Sequence, residues 1–162
     1  MLRRYRSHSH CLALVCAGAL AVLVGAPSLA AEHSKPEFLN REDPGRAGLP
    51  FSEAVRVGDL MFLSGQIGYE PATGKPVPGG IKAEARQALT LIKDVLTRNG
   101  ASMSDVVKCT VFLADIAEWP AFNEVYAEFF KKPFPARSAL AASGLARNAR
   151  VEVECIAYAP KK

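Results

Sequence analysis

Histidine is scarce in this sequence of 162 residues, and all three histidines, His8, His10 and His33, precede residue 34. A Ser–His or Cys–His nucleophile pair needs an imidazole inside the fold, and histidine is also a common ligand of catalytic zinc. The cysteines have no metal-binding spacing either. We therefore expect no histidine-activated nucleophile and no metal, and we assign no cofactor.

An excess of positive charge is also missing once the N-terminal segment is set aside. Without Arg3, Arg4 and Arg6, the 20 basic residues fall to 17, against 16 acidic ones. Nucleic-acid binding normally requires basic residues that cluster on one face among aromatic ones. The near-neutral remainder therefore argues against a nucleic-acid partner.

The N-terminal segment is typical of an export signal. Arginines precede an uncharged run over residues 11–31, and Ser28 and Ala30 place small residues at the positions that specify cleavage. We predict a signal peptide over residues 1–30, cleaved after Ala30 or Ala31, and a periplasmic or secreted mature protein without membrane attachment. The alternative is an uncleaved anchor, because such a run at about 1.5 Å per residue could just span roughly 30 Å. The sequence leaves the choice between Sec and Tat export open.

The rest of the chain predicts one domain preceded by an arm. Residues 31–47 are rich in charge, proline and glycine, which predicts an irregular N-terminal arm. Residues 48–160 are long enough for a single hydrophobic core, and we assign them to one domain.

Apolar periodicity within this domain predicts helices and strands. Gly58-Asp59 indicates a tight hairpin, and Asn99-Gly100 ends a first helix. Asp115 and Glu118 indicate a capping box before a second helix, with Pro120 in its first turn. Further strands are predicted over residues 106–113, from Arg137 onward and over 150–158. The apolar helix positions are Ile81, Ala85, Ala88, Leu89, Ile92, Val95 and Leu96 in the first helix, and Phe122, Val125, Tyr126, Phe129 and Phe130 in the second.

These elements predict an α+β fold, in which two helices cover one face of a mixed sheet of about five or six strands. Two helices cannot cover the second face. Phe112, Ile156 and Tyr158 are too apolar to leave exposed there, so we expect this face to pack against copies of the same chain.

Two cysteines, Cys109 and Cys155, remain in the mature chain. Each lies in phase with apolar neighbours along its strand, so both side chains are expected to face the core. We interpret them as buried free thiols that behave as small hydrophobic side chains. A disulfide is the alternative if the two strands are neighbours, which the sequence does not decide.

An isolated guanidinium points to a binding site. Arg137 lies in FPARS, residues 134–138, and opens a strand of small and apolar residues. A guanidinium in such a stretch needs an anionic partner, and its planar fork fits a carboxylate bidentately. The partner is either a ligand or a glutamate at a subunit contact.

Six separated motifs span essentially all of residues 48–158. They are LSGQI at 63–67, RQAL at 86–89, VVKCTVFLAD at 106–115, FNEVYAEFF at 122–130, FPARS at 134–138 and VEVECIAY at 151–158. Together and in this order they resemble the RidA/YjgF family of reactive-intermediate deaminases. The resemblance implies a chorismate-mutase-like fold, a homotrimer with sites at subunit boundaries, and hydrolysis of enamine or imine intermediates such as 2-aminoacrylate to 2-keto acids and ammonia.

The resemblance also implies roles for single residues. Arg137 matches the arginine that holds the substrate carboxylate, and Glu152 matches the glutamate that positions or activates the attacking water. Ser64 and Gly65 lie in the pocket-lining motif, and Asn123 matches a polar residue near the site. On the residues alone, Ser64 and Gly65 would mark only a strand end where backbones approach closely.

Two positions depart from the family pattern. Phe51 stands where members often have tyrosine, so a pocket hydroxyl is missing, and Ala139 stands where some members have cysteine. Ordinary structural roles are also open to the assigned residues. Glu152 shares a strand face with Glu154 and could be polar surface, Asn123 could be a solvated helix residue, and Phe51 could be simple packing.

A deaminase of this kind needs an oriented substrate and a positioned water, because an imine carbon is already electrophilic. Two alternatives to an exported deaminase are open. A non-catalytic trimeric module that binds small carboxylates would fit the missing hydroxyl at Phe51 and the export signal. An endoribonuclease fits less well, because the mature charge is near neutral and the domain lacks a histidine base.

Overall fold

The structure is a computed structural model that describes residues 35–42 and 48–161. The predicted signal peptide and His33 lie outside the described residues. The strands and α-helices are β1 Glu37–Leu39, β2 Ala54–Val57, β3 Leu60–Ile67, α1 Gly80–Arg98, β4 Val106–Leu113, α2 Trp119–Phe129, β5 Ala136–Ala141 and β6 Val151–Tyr158. They confirm the α+β class. Neither helix of the described ranges combines the length and apolar character needed to cross a bilayer.

The strands form one mixed sheet in the order β1-β2-β3-β6-β4-β5. All neighbouring pairs are antiparallel except β4 and β5, which are parallel. Parallel neighbours need a crossover connection, and α2 supplies it. This crossover brings α2 to the edge of the sheet that β5 forms.

The hairpin between β2 and β3 is the predicted one. Val57 lies opposite Leu60, so Gly58 and Asp59 form a two-residue connection. Gly58 has a φ of 57°, in the left-handed region that glycine adopts without a steric clash. The Asp59 carbonyl accepts a hydrogen bond from the Ala159 amide at 2.7 Å, which ties the turn to the chain after β6.

The N-terminal arm contributes a strand, so the prediction of an irregular arm is wrong at Glu37–Leu39. β1 pairs with β2, and Phe38 lies opposite Val55. Just after β1, the Asn40 side-chain carbonyl accepts a hydrogen bond from the Glu53 amide at 3.0 Å. A strand of three residues is too short to show a periodic apolar pattern, and for this reason the sequence did not reveal it.

Both helices cover the same face of the sheet. The apolar positions predicted for α1 are buried, and the helix ends at Arg98, directly before the predicted stop. Lys82 pairs with Glu124, and Arg86 pairs with Glu128 one turn further along each helix. The two helices therefore run in the same direction, and the core lies between them and the sheet.

The start of α2 differs from the predicted capping box. Asp115 caps a short 3-10 turn by accepting a hydrogen bond from the Ala117 amide at 2.9 Å. The Glu118 carboxylate accepts from Arg150 Nε at 2.7 Å instead of reaching back to the Asp115 amide. The capping box is therefore wrong because a more distant arginine competes for the glutamate. Pro120 lies in the first turn of α2, as predicted.

The second face of the sheet is covered by neither helix of the described chain. Phe112 and Ile156 are half-buried on this face, and Phe62 and Tyr158 are 42% and 51% exposed. The predicted apolar face is thus present and uncovered in a single chain. We refer to it as the open face.

Cys109 and Cys155 form a disulfide, so the interpretation as free thiols is wrong. The two residues lie opposite each other on β4 and β6, and their Cα atoms are 4.1 Å apart. Both are buried on the helix side of the sheet, as predicted. The sequence did not reveal the bond because a separation of 46 residues says nothing about which strands are neighbours.

Candidate functional site

Arg137 lies at the beginning of β5 with its guanidinium over aromatic rings of α2. Its Cζ atom is 4.6 Å from the ring centroid of Tyr126, 5.0 Å from that of Trp119 and 5.9 Å from that of Phe122. These distances lie within the about 6 Å over which a ring face attracts a cation. We call Trp119, Phe122 and Tyr126 the aromatic platform.

The local sequence explains why the platform and the arginine meet. Trp119, Phe122 and Tyr126 are three and four residues apart, so they form one stripe along a helix. Arg137 lies opposite Cys109 in the parallel pair of β4 and β5, and Cys109 is buried on the helix side. The Arg137 side chain therefore lies on the same side of the sheet as α2.

Within the described residues, no carboxylate forms an ion pair with Arg137. An aromatic ring attracts the guanidinium charge without accepting the hydrogen bonds that a carboxylate would take from its N–H donors. The contacts with the platform thus leave those donors available. A structural ion pair within this part of the chain does not account for Arg137.

Two buried polar atoms of α2, Asn123 Oδ1 and the Tyr126 hydroxyl oxygen, have no hydrogen-bond partner in the described part of the chain. Such an atom costs about 1–3 kcal/mol when it stays unpaired, so it calls for an explanation. Burial raises the pKa of the Tyr126 hydroxyl, and the positive charge of Arg137 lowers it in part. The hydroxyl is therefore protonated at neutral pH. Asn123, a predicted site residue, lies one turn before Tyr126 on the same helix.

Glu152, the second predicted catalytic residue, lies near the beginning of β6. It lies opposite Phe112 of β4 and Ile67 of β3, on the open face. Burial raises the pKa of its carboxyl, and the negative charge of Glu154 raises it further. A carboxyl with a raised pKa exchanges a proton nearer to neutral pH than an ordinary glutamate does. Glu152 and Glu154 share a face, as predicted.

Gly65 leaves the space that the Glu152 side chain occupies. A Cβ atom at position 65 would lie 1.9 Å from Glu152 Oε1 and 2.8 Å from its Cδ. The register of β3 with β6 shifts between Leu63 and Gln66, so Gly65 lies in an irregular part of the strand. The close approach, more than the strand end itself, explains the glycine here.

Ser64 and Phe51 lie near the point where the chain enters β2. The Ser64 hydroxyl donates to the Ser52 carbonyl at 2.6 Å, and the Ser64 amide donates to the Glu53 carbonyl at 3.0 Å. The hydroxyl hydrogen of Ser64 is therefore engaged within the chain. Phe51 is 53% exposed, so packing within one chain does not account for its ring.

The predicted site residues fall into two groups on opposite sides of the sheet. Arg137 and Asn123 belong to the helix side, whereas Glu152, Gly65 and Ser64 belong to the open face. The register separates Arg137 from Glu152 by two strand spacings and three residues, roughly 10 Å in each direction. A small imino acid cannot contact both side chains of one chain. A site that uses both residues therefore needs two chains.

A metal cluster and a separate groove are the two obvious alternatives to this candidate site. No group of three or more His, Cys, Asp or Glu side chains among them could hold a metal ion. A groove of about 690 Å³ lies beyond the end of α2, where Phe130, Lys132 and Pro135 contribute to its lining. Neither Arg137 nor Glu152 lines this groove.

Sequence reasoning did not identify the platform. Phe122 and Tyr126 were assigned to the core, and Trp119 was assigned to no site. The available signal was the aromatic stripe itself, but an apolar helix stripe normally indicates only a core. The strand order was needed to show that β5 brings a cation to these rings.

The fold and the site define a class of protein: an α+β domain with two helices on one face, an arginine held by rings at an edge strand, and a half-buried glutamate on the open face. The family model described as endoribonuclease L-PSP matches residues 43–159. The chain belongs to this family, and the RidA/YjgF resemblance of its motifs is confirmed.

Relatives of known name match most of the domain. A 2-iminobutanoate/2-iminopropanoate deaminase of Dermatophagoides farinae is 50% identical over 107 residues, which make up 66% of this chain and 84% of the relative. The chloroplastic Reactive Intermediate Deaminase A of Arabidopsis thaliana is 40% identical over 130 residues, 80% of this chain and 70% of the relative. The crystal structure of RidA from an Antarctic Psychrobacter superposes with a TM-score of 0.66 at 35% identity, and the match covers 75% of this chain and 94% of that one.

Proposed function

We propose that the protein is an exported deaminase of the 2-iminobutanoate/2-iminopropanoate type. It hydrolyses reactive enamine or imine intermediates, such as 2-aminoacrylate, to 2-keto acids and ammonia. The observation that carries this proposal is the Arg137 guanidinium, which rests on three rings without a carboxylate partner among the described residues. The names of relatives that are 40% and 50% identical support the reaction type.

Arg137 binds the substrate carboxylate in this proposal. Two parallel N–H···O bonds fix the direction of a planar carboxylate, which the point charge of a lysine does not do. One charge-assisted contact contributes about 1.5–3 kcal/mol, and millimolar affinity requires about 4 kcal/mol. Binding through Arg137 alone is thus weak, which suits an intermediate that must be turned over and not stored.

Glu152 positions the water and carries a proton. The water oxygen adds to the imine carbon while one of its protons passes to the Glu152 carboxylate. The carboxyl then gives that proton to the imine nitrogen, which yields a carbinolamine. The hydroxyl proton of the carbinolamine passes to the same nitrogen through Glu152, the carbon–nitrogen bond breaks, ammonia leaves and the carbonyl of the 2-keto acid forms. A positioned carboxyl typically contributes roughly a hundred- to ten-thousandfold in rate.

A homotrimer would complete the site, with Arg137 of one protomer and Glu152 of its neighbour. The placement of these residues on opposite sides of the sheet supports a shared site, and the apolar open face supports self-association. Light scattering on the mature protein should give three times the chain mass. A stable monomer at micromolar concentration would contradict the proposal.

Mixing two inactive variants tests the sharing directly. Arg137→Ala and Glu152→Gln proteins, mixed in equal amounts, unfolded together and refolded as random trimers, should regain about one quarter of the wild-type rate, because a quarter of the boundaries join two intact residues. No recovery at all would mean that both residues act from the same chain.

Export is supported by the disulfide between Cys109 and Cys155, because such bonds persist mainly in oxidising compartments. The intact mass of the protein recovered from the cell envelope should correspond to a chain that begins at Ala31 or Glu32. Recovery of full-length protein from the membrane would instead support an anchor.

A coupled assay tests the activity. A pyridoxal enzyme generates 2-aminoacrylate, and the mature protein should accelerate the release of pyruvate above the spontaneous rate. Unchanged pyruvate release in the presence of a well-folded trimer would refute the deaminase proposal.

The second candidate is a non-catalytic trimer that binds small carboxylates, which the exposed ring of Phe51 favours because it supplies no hydroxyl to a site. Such a module would bind pyruvate without accelerating its release from 2-aminoacrylate. Incubation with single-stranded RNA checks the activity in the family's description, and we expect the RNA to remain intact.

A further inference from the structure

We propose that the aromatic platform is a positioning device for Arg137, with Trp119 and Tyr126 as its positioning residues. The inference rests on the proposed function, in which Arg137 grips the substrate carboxylate. The platform would set the affinity for the carboxylate without contacting the ligand.

The contact geometry favours this role over a purely structural one. Tyr126 and Trp119 lie 4.6 Å and 5.0 Å from the guanidinium carbon. Ring faces attract the charge of the cation without taking its N–H hydrogens, so the donors stay available for a bidentate ligand. A carboxylate in the place of the rings would occupy the same donors that the substrate needs.

Arg86 and Arg150 are held in a different way. Arg86 lies 2.7 Å from the Glu128 carboxylate, and Arg150 lies 2.5 Å from that of Glu118. Both charges are neutralised by a partner within the fold. Arg137 is held by rings without such a partner among the described residues, so its charge is not cancelled.

The platform is itself fixed by the core. Phe122 and Tyr126 are buried, and their ring centroids are 5.7 Å apart. The Tyr126 ring also packs against Phe130 at 4.4 Å. An arginine on a rigid surface has already lost much of its rotamer freedom, so less freedom is lost when the ligand binds.

Trp119 provides a built-in probe, because it is the single tryptophan of the sequence. Its fluorescence should change when a carboxylate reaches the guanidinium 5.0 Å away. Pyruvate should shift the emission of the mature trimer, whereas pyruvamide, which lacks the carboxylate, should not.

Calorimetric titration with pyruvate tests the positioning role. Trp119→Leu and Tyr126→Leu should weaken binding about 2- to 30-fold, the range expected for loss of one cation–π contact. Trp119→Phe and Tyr126→Phe should stay within about twofold of wild type, because a ring face remains. Phe129→Leu is the matched control, since Phe129 is a half-buried aromatic residue of the same helix outside the platform.

Activity measurements separate positioning from general damage. The leucine variants should raise KM for the 2-aminoacrylate reaction while kcat changes little, because the carboxylate contact is made before and during the reaction. Circular dichroism and light scattering should match wild type for Trp119→Leu, the half-buried position, even if Tyr126→Leu is unstable.

Each outcome bears on a distinct claim. Leucine variants that bind pyruvate like wild type, or a Phe129→Leu variant that weakens binding equally, would overturn the positioning role and leave the proposed function intact. Platform effects on pyruvate affinity without any deaminase activity would refute the enzyme and keep the positioning role. A wild-type protein that neither binds pyruvate nor accelerates its release would overturn both.

Discussion

The substitution Gly65→Ala should displace the Glu152 carboxylate without disturbing the contact between Arg137 and the substrate carboxylate. The new Cβ would lie 1.9 Å from Glu152 Oε1, 2.8 Å from Cδ and 3.0 Å from Cγ. Carbon and oxygen atoms in contact normally stay more than about 3.3 Å apart, so the carboxylate must move by roughly 1.4 Å. The side chain can make this movement by rotation, so the backbone fold is expected to survive.

The expected magnitude follows from this displacement. Misplacement of a catalytic group by about 1 Å can cost on the order of a hundredfold in rate. We therefore expect kcat for imine hydrolysis to fall roughly a hundredfold in Gly65→Ala, while the affinity for pyruvate, which depends on Arg137, changes less than about twofold.

The assay is the release of pyruvate from 2-aminoacrylate, with the trimer checked by light scattering. Gly144→Ala is the matched control, because a Cβ at position 144 would meet no atom within 4 Å. Gly144→Ala should retain the wild-type rate. A Gly65→Ala protein with normal kcat would refute the reasoning, because the Glu152 carboxylate would then have moved without a kinetic consequence.

Five further variants test other parts of the site and fold. Arg137→Ala should weaken pyruvate binding about 10- to 150-fold and abolish hydrolysis, with little change in the trimer or its melting temperature. Arg137→Lys should restore only part of the loss. A dissociated trimer would mean that Arg137 is a structural residue. Glu152→Gln should lower the rate more than the binding. Burial and the charge of Glu154 raise the pKa of Glu152, so its carboxylate becomes protonated at a higher pH than that of an ordinary glutamate. Glu154→Gln should therefore move the acid limb of the kcat/KM profile to lower pH. An acid limb that does not move would belong to another group. Replacing both Cys109 and Cys155 by alanine should cost about 2–4 kcal/mol in urea unfolding, and equal stability would mean that the disulfide does not form in the folded protein.

The sequence predicted those parts of the fold that depend on local pattern. The stripe from Ile81 to Leu96 fixed α1, and Gly58-Asp59 fixed the hairpin, because helical periodicity and turn chemistry are local properties. β1 escaped prediction because three residues carry no period. Its formation depends on the neighbouring β2, which is a tertiary contact.

The candidate site depended on the sheet order, which no local pattern contains. Strand β6 lies between β3 and β4, which places Cys155 opposite Cys109. The two cysteines therefore form a disulfide instead of two free thiols in the core. The same order puts Arg137 on the edge strand beside α2. The motifs predicted which residues form the site, but only the register showed that Arg137 and Glu152 lie on opposite sides of the sheet.

The placement of Arg137 and Glu152 on opposite sides of the sheet matters for proton transfer, because the chain has no histidine after residue 33. In the proposed mechanism a carboxyl carries the proton, and burial together with the negative charge of Glu154 raises the pKa of Glu152, which brings its proton exchange closer to neutral pH. A direct ion pair with Arg137 would lower that pKa and occupy the donors that hold the substrate. Placing the two groups on opposite sides of the sheet prevents this pairing within a chain. In the proposed trimer the two charges meet only across a subunit boundary. There the substrate carboxylate pairs with the guanidinium, and the glutamate contacts the water.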